Sequence, residues 1–492
     1  MIAAMLDLLL ALSTSSFAAS CPDVGSEHLL GRHRCPTAAL EAARRTAGCP
    51  SATAPLTRAA PGGEKTVRST WEYSENRYET DDLVIWWGTY EGFNDADIER
   101  LANAFATGWS GLLDLGYPLP EGTDSFKLNI YIAGTGAGPR DTSEWVAGYM
   151  THDGQGYPYI VMGSNTLGTE QGDLTAVHEL FHASQYAVDT YDGRNERSLW
   201  WFEATAVWFE GELHPELDGH ADNLVGWAFR PELPLNFFDY PDSGDFTEGH
   251  QYGAFIWPRY LSDFHGGAEI VRRSWFEAEA DDRPLDVVAD LLAEEGVGAA
   301  EAYFDFAARA ATWDFPLGDT YENAIQNGGG FGSSESARPS GFLELPTESM
   351  VRPIDELPGT YGANYWELRS PSDAMVLSFE GYPGPNRWYA AVIGQTGDEH
   401  VRVELPLIGG AGAATLLNMH EHEELWLVVA AVDSPGEDDT FSYGFTIEDL
   451  TLKIPEGGEE GTGCGCASSS SGAAWLWLLS AGATLRRRSR SR

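Results

Sequence analysis

Two histidines and a glutamate near the middle of the chain have the types and spacing of a zinc site. His178, Glu179 and His182 form the pattern H-E-x-x-H. On an α-helix, residues four apart lie on one face, so the two imidazoles can hold one Zn²⁺ between them. The intervening glutamate then lies beside the water that zinc polarises. The pattern predicts hydrolysis with Glu179 as general base.

Catalytic zinc requires a third protein ligand. A metzincin-type third histidine is excluded, because Gln185 and Val188 stand where that class has glycine and histidine. The segment 199–210, LWWFEATAVWFE, is typical of a second buried helix, with Glu203 in an apolar setting. A buried carboxylate is costly unless it is paired or bound to metal. Glu203 is therefore the predicted third ligand.

A further donor is needed to stabilise the oxyanion that forms during hydrolysis. His250 and Tyr252, just ahead of a predicted helix, are the candidates because either side chain could reach an active-site cleft. Packing of these two residues against the core is an equally good interpretation.

Five other potential ligands are better explained without a metal. His420 and His422 are two residues apart and flanked by glutamates, which favours a solvated strand end over a metal site. Glu210, Glu212 and His214 could compete as ligands, but they follow the apolar stretch and are predicted to lie at the surface.

The motif is predicted to lie on a helix buried on both sides. Leu174, Val177, Phe181 and Val188 form an apolar stripe, and residues 172–173 are the predicted N-cap. Upstream, the pattern predicts strand, helix, strand, strand, with bounds 83–88, 95–115, 126–132 and 157–162.

In these motifs the chain resembles the gluzincins, of which thermolysin is the familiar member. The segments HELFHASQ and WFEATAVW are also similar to those of a family of myxobacterial metalloproteases. This resemblance covers about residues 84–264. The resemblance implies an α+β zincin-like fold, zinc held by the two histidines and Glu203, and a sheet edge that binds extended substrate; residues 157–163 are the candidate edge. Gluzincins have an aspartate four residues after the ligand glutamate, whereas this chain has Val207. The partner that orients the first histidine is therefore unidentified.

Composition shifts divide the chain into seven segments. They are a signal peptide (1–20), a leader or propeptide-like segment (21–65), the zincin-like domain (66–327), a linker (328–340), a β-sandwich domain (341–453), a Gly/Ser-rich linker with a Cys pair (454–471) and an apolar, Arg-rich tail (472–492). Five short runs separated by Pro, Gly and Asp predict the sandwich: 375–379, 388–393, 401–405, 425–432 and 441–447.

Both ends of the chain resemble sorting signals. The apolar run 8–12 followed by Ala18-Ala19-Ser20 suits signal-peptidase cleavage, and lipidation of Cys21 is the minor alternative. Near the other end, Gly463-Cys464-Gly465-Cys466 is followed by a Ser-rich spacer, the apolar run 475–479 and Arg486-Arg487-Arg488. In this order the last 30 or so residues resemble the MYXO-CTERM tail of myxobacterial surface proteins, which implies processing near the Cys pair, with retention at the envelope or release. Cys35 and Cys49 could pair in an oxidising compartment, and no four-cysteine zinc cluster is present. The chain is therefore expected to be secreted or anchored at the cell surface.

The net charge of −45 argues against a nucleic-acid partner, because such binding is driven by Lys and Arg. The favoured function is a zinc metalloendopeptidase acting on protein or peptide substrates outside the cytoplasm. The alternative is a non-catalytic surface adhesin or binding protein built on a zincin scaffold. Hydrolysis of a non-peptide amide by the same metal chemistry stays open, as do the peptide specificity and the oligomeric state.

Overall fold

The structure, a computed structural model, describes residues 37–46, 65–67, 76–89, 92–136, 147–191, 196–239, 246–327, 340–382, 387–433 and 440–450. The expected signal peptide, both cysteine groups, nearly all of the linker 328–340 and the C-terminal tail lie outside these residues. Within the described ranges, no helix combines the length and apolar character needed to cross a bilayer.

The described residues form eleven α-helices and thirteen strands. The helices are α1 (Thr37–Thr46), α2 (Asp95–Asp114), α3 (Glu170–Val188), α4 (Glu196–Leu213), α5 (Leu224–Ala228), α6 (His250–Gly253), α7 (Ile256–Phe264), α8 (Ala268–Phe276), α9 (Pro284–Glu294), α10 (Ala299–Ala310) and α11 (Gly318–Gln326). Short 3₁₀ turns cover Asp218–Asn223, Phe246–Gly249 and Met419–Glu421.

The strands of the N-terminal sheet are β1 (Asn76–Glu79), β2 (Leu83–Trp87), β3 (Leu128–Ala133), β4 (Gly148–His152) and β5 (Pro158–Gly163). The remaining strands are β6 (Gly341–Glu344), β7 (Gly362–Arg369), β8 (Ala374–Gly381), β9 (Arg387–Thr396), β10 (Glu399–Glu404), β11 (Ala411–Leu417), β12 (Glu424–Val432) and β13 (Tyr443–Asp449). Helices and strands occur largely in separate blocks of the chain, so the prediction of a mixed α+β protein is confirmed.

The N-terminal sheet has the order β1-β2-β3-β5-β4. Its three central strands run parallel, and the outer two are antiparallel to their neighbours. Strand β5 is buried along its whole length, as expected for a strand covered on both faces. The predicted substrate edge at 157–163 is therefore wrong, because β5 lies between β3 and β4. The edge on the side of helix α3 is β4, which is too short and too mixed in polarity to be recognised from its pattern.

Helix α3 carries the motif and is buried on nearly all sides. Its N-cap is Thr169, whose hydroxyl accepts a hydrogen bond from Gly172 N–H at 3.2 Å. The prediction of an N-cap at 172–173 is wrong by one turn; Asp173 instead pairs with Arg100, with Nη2 and Oδ2 2.6 Å apart. The helix is therefore anchored at its start by a cap and by an ion pair to α2.

The C-terminal strands form two sheets packed face to face, with the orders β10-β9-β12-β7-β6 and β11-β8-β13. Side chains from both sheets, such as Leu377, Val392 and Leu427, share one apolar core. All five predicted strand runs are found here, while β6, β7 and β11 escaped the sequence pattern.

The sheet β10-β9-β12-β7-β6 packs with its other face on the helices of the N-terminal region. Phe304 of α10 stacks on Tyr389 with ring centroids 4.8 Å apart, and Arg402 binds Asp305 at 2.8 Å. Ala391 and Val428 belong to the same apolar cluster as the helices around α3. The central strands β7, β9 and β12 of this sheet are consequently buried on both faces and share a core with the helices.

Candidate metal centre

Three side chains from two helices converge at the centre of the N-terminal region. His178 and His182 come from α3, and Glu203 comes from α4, which runs antiparallel beside it. The Nε2 atoms of the histidines are 3.1 Å apart, and each lies 3.3 Å from Glu203 Oε2. All three residues are buried, and they are the one group of three or more potential ligands found among the described residues.

The tautomers of both histidines are fixed by acceptors on their other nitrogens. His178 Nδ1 lies 2.7 Å from Glu210 Oε1, and His182 Nδ1 lies 2.7 Å from Gln185 Oε1. A carboxylate and an amide oxygen can only accept, so each Nδ1 must carry the proton. In a neutral imidazole the Nε2 atom then holds a lone pair. When both imidazoles are neutral, two nitrogen lone pairs and a carboxylate oxygen therefore face one another.

The orientation of the Gln185 amide follows from its other contacts. Its Nε2 donates to the Phe202 carbonyl and to Thr205 Oγ1, both at 2.9 Å. A carbonyl cannot donate, so the nitrogen must face α4 and the oxygen must face His182. Because α3 and α4 are tied together by this amide, the position of the His182 ring is linked to that of the helix that carries Glu203.

The spacing of the three facing atoms suits a zinc ion. Ligand bonds of about 2.0–2.2 Å at tetrahedral angles place the ligand atoms about 3.3–3.6 Å apart. The observed separations of 3.1–3.3 Å are close to this range. A single added proton can be shared by only two of these three atoms, whereas a divalent cation can bind all three. The donor set therefore fits zinc.

Glu210 contradicts its predicted place at the surface. Only 5% of the residue is exposed, and it lies seven residues, two helical turns, after Glu203 on the same side of α4. The gluzincin pattern identifies no residue here that orients His178, because Val207 stands where gluzincins have an aspartate. Glu210 orients the ring instead, from the side opposite Glu203. The sequence contained a signal for this role, because a residue seven positions after Glu203 lies on the same side of a helix.

The carboxylates strongly affect the protonation of His178. Burial lowers the pKa of His178, but the hydrogen bonds to Glu203 and Glu210 outweigh burial and raise it to about 10. Burial raises the pKa of Glu203, but the neighbouring His182 and His178 lower it to about 2. Glu203 is thus ionised, and a proton and a metal ion compete for the same side of His178.

Glu179 faces the edge strand β4. A Cβ added to Gly148 would lie 2.6 Å from Thr175 Cγ2 and 3.3 Å from Glu179 Cγ, so the strand can approach α3 this closely only with glycine there. Glu179 Oε2 accepts a hydrogen bond from the Thr37 hydroxyl at 2.9 Å. The predicted general base therefore lies between the three candidate ligands, the sheet edge and helix α1.

The first turn of α1 also contacts two other parts of the site. Thr37 Oγ1 accepts a hydrogen bond from Met150 N–H of β4 at 2.8 Å, and Ala38 N–H donates to Glu203 Oε1 at 3.3 Å. Nothing in the composition of residues 21–65 indicated this contact, which depends on residues more than a hundred positions apart.

The two candidate oxyanion donors are placed differently. The centroid of the Tyr252 ring lies 6.3 Å from that of His178, one of the three candidate ligands. The His250 ring packs edge-on against Phe237, with centroids 5.6 Å apart. Residues two apart on a helix point about 200° apart, so the structure brings Tyr252 to the site and turns His250 towards the core.

The remaining candidate ligands lie away from the centre. His420 is exposed beside Asp373, and the His422 Nδ1 atom lies 3.2 Å from Thr396 Oγ1 at a strand end, as predicted. Glu212 and His214 are half-buried rather than fully exposed: Glu212 binds Arg259 at 2.6 Å, and His214 lies 3.3 Å from Glu216.

A family model matches most of the chain. The model of a family of unknown function, DUF6055, matches residues 54–435. This region contains His178, His182 and Glu203 and most of the two C-terminal sheets, and it begins after helix α1. No curated protein matches the chain. Because the family model spans well over half of the 492 residues, the chain belongs to the DUF6055 family.

Proposed function

We propose that this protein is a zinc-dependent metalloendopeptidase whose catalytic domain, residues 66–327, is zincin-like. The observation that carries the proposal is the convergence of two fixed imidazole lone pairs and the Glu203 carboxylate next to Glu179. Such a set leaves one side of a tetrahedral ion for water, which is the arrangement of catalytic rather than structural zinc.

His178, His182 and Glu203 would hold the ion. When bound there, zinc supplies Lewis acidity, which polarises a water molecule and the scissile carbonyl. Glu179 accepts a proton from the attacking water and later delivers it to the leaving amine. Glu210 and Gln185 hold the two imidazoles in the required tautomers. Tyr252, beside His178, donates a hydrogen bond to the oxyanion.

The substrate class follows from the edge strand beside the general base. Among the described strands, β4 is at the edge of the sheet, with β5 as its neighbour, and it lies against α3 at Glu179. An extended peptide can add to such an edge by main-chain hydrogen bonds. Its carbonyl groups would then lie next to the catalytic residues. Export fits the proposal through the sorting signals expected in residues 1–20 and 454–492.

The first experiment measures zinc stoichiometry in the purified full chain. His178→Ala should abolish stoichiometric zinc, whereas Glu179→Gln should retain it. His420→Ala, at an exposed histidine, is the matched control and should bind zinc like the wild type. Stoichiometric zinc in His178→Ala would contradict the proposed ligand set.

The second experiment measures cleavage of a peptide mixture by the zinc-loaded chain. Because Thr37 lies against Glu179, the assay uses both the wild type and Ala38→Asp, in which the added carboxylate repels Glu203 and displaces α1. Adding Glu179→Gln should reduce cleavage by about a hundredfold or more; Glu99→Gln, at an exposed glutamate, should not. Equal cleavage with and without Glu179 would favour the adhesin alternative, and cleavage of non-peptide amides alone would reassign the substrate.

A further inference from the structure

Helix α1 covers the groups that a substrate would need. Its first residue, Thr37, donates to Glu179 Oε2 and accepts from the Met150 amide. The next residue, Ala38, donates its amide to the second oxygen of Glu203. One turn of helix thereby contacts the general base, a predicted ligand and the edge strand at the same time.

The contacts are chemically matched to the site. The first amides of a helix have no partner within the helix and carry partial positive charge. Here the Ala38 N–H donates to Glu203 Oε1, and the Thr37 hydroxyl at the start of the helix donates to Glu179 Oε2. The helix start therefore gives each of these two buried carboxylates a hydrogen-bond donor.

The helix is packed into the protein rather than laid over it. Thr37 and Ala38 are fully buried, and Leu40 is 2% exposed. Leu40 packs on the face of the sheet opposite α3, with Tyr131 and Tyr149, while Ala38 joins the main core. Alanines at 38, 39 and 42, all buried, allow this close fit because they carry almost no side-chain bulk.

Helix α1 and an extended substrate exclude each other. A substrate on β4 needs the main-chain groups around Met150, and its attacking water needs Glu179. Both are engaged by Thr37. We propose that α1 is an autoinhibitory segment that keeps the metal centre closed until the helix leaves. This inference rests on the proposed function for its biological meaning, but the closure itself can be tested without it.

The test compares two pairs of matched variants of the full chain. Thr37→Val removes the hydroxyl at nearly constant volume, while Thr37→Ser keeps it. Ala38→Asp places a carboxylate beside Glu203, while Ala106→Asp places one on an exposed position of α2. Loss of a buried hydrogen bond to a charged group shifts an equilibrium by roughly ten- to a hundredfold, which sets the expected scale of opening.

Two readouts report the closure. Hydrogen exchange at the Met150 amide needs no metal, and it should accelerate by about tenfold or more in Thr37→Val and Ala38→Asp. Acetohydroxamate, added to the Co²⁺-loaded chain and followed by visible absorbance, should bind at least about tenfold more tightly to the same two variants. Thr37→Ser and Ala106→Asp should behave like the wild type.

The outcomes separate the two proposals. Unchanged exchange and unchanged hydroxamate binding in both opening variants would overturn the autoinhibition, whatever the hydrolysis assay gives. Faster exchange and tighter probe binding with no peptide cleavage would support closure by α1 and reject the peptidase. If Ala38→Asp fails to fold, as judged by circular dichroism, hydroxamate binding to Thr37→Val decides the question, because the exchange of the Met150 amide also responds directly to the loss of its acceptor.

Discussion

Glu210 Oε1 lies 2.7 Å from His178 Nδ1, on the side of the ring opposite Glu203. Glu203 and Glu210, both on α4, therefore contact one imidazole, the first as a predicted ligand and the second as the group that fixes its tautomer. Val207, at the position where gluzincins carry the orienting aspartate, is buried and apolar. The carboxylate that orients His178 is Glu210, three residues further along the helix.

Glu210→Ala should weaken zinc binding by about 10- to 100-fold, the usual effect of losing a group that orients a metal-bound histidine. Glu210→Gln should cost less, because its amide oxygen can still accept from Nδ1. Zinc affinity is measured by competition with a chromogenic chelator. Glu216→Ala, at an exposed glutamate, serves as control, and equal affinities for Glu210→Ala and this control would contradict the assigned role.

Gln185→Leu should destabilise both the metal centre and the fold. It leaves His182 Nδ1, the Phe202 carbonyl and Thr205 without their shared amide, and each unsatisfied buried group costs about 1–3 kcal/mol. Gln185→Glu keeps an acceptor for His182 but cannot donate to Phe202, so we expect an intermediate loss. Thermal unfolding with and without zinc measures both effects. A melting temperature for Gln185→Leu equal to that of the wild type would rule out this network.

Tyr252→Phe should lower kcat while leaving zinc binding unchanged. The ring that packs near His178 remains, and only the hydroxyl that would face the oxyanion is lost. Removal of one such donor typically costs about 100- to 1000-fold in kcat. The assay is steady-state cleavage in the Ala38→Asp background, with zinc content measured in parallel. An unchanged kcat would exclude Tyr252 as the oxyanion donor.

Removal of zinc should lower the melting temperature. An ion bound only by the folded chain, at a free concentration a hundred times its Kd, stabilises it by about 2.7 kcal/mol. A shift of several degrees between the zinc-loaded and chelator-treated chain is therefore expected. In His178→Ala the two conditions should give the same melting temperature; a zinc-dependent shift there would place the ion elsewhere.

His250 should make the fold sensitive to acid. Burial lowers the pKa of His250 to about 3, against about 6.5 in an unfolded chain. The unfolded state therefore binds the proton first, so the contribution of His250 is complete above pH 6.5 and is lost as the pH falls towards 3. Between pH 6.5 and 4.5 the loss amounts to at most about 2.7 kcal/mol.

His250→Phe preserves a ring beside Phe237 and removes the titration. The difference in free energy of unfolding between pH 6.5 and 4.5, measured in urea, should be smaller in this variant than in the wild type. His420→Phe, at an exposed histidine, should show the wild-type dependence. If both variants and the wild type lose the same free energy, the acid sensitivity arises from other groups.

The sequence by itself determined the parts of the site that depend on one helix. His178, Glu179 and His182 share a face because a helix repeats every 3.6 residues, and that geometry needs no partner. Glu203 was found because a carboxylate within an apolar run requires a compensating contact. The long apolar strands and the helix at 95–115 were likewise recognisable, since their burial imposes a local pattern.

Only the tertiary structure decided which distant groups complete the site. Glu210 looked like a surface residue because its position relative to His178 depends on how α4 packs against α3. Strand β4 became the edge through pairing with β5, which the short segment does not reveal. Thr37 lies 142 positions from Glu179 in the sequence. Such contacts are set by packing between separate elements, and no periodicity within either element encodes them.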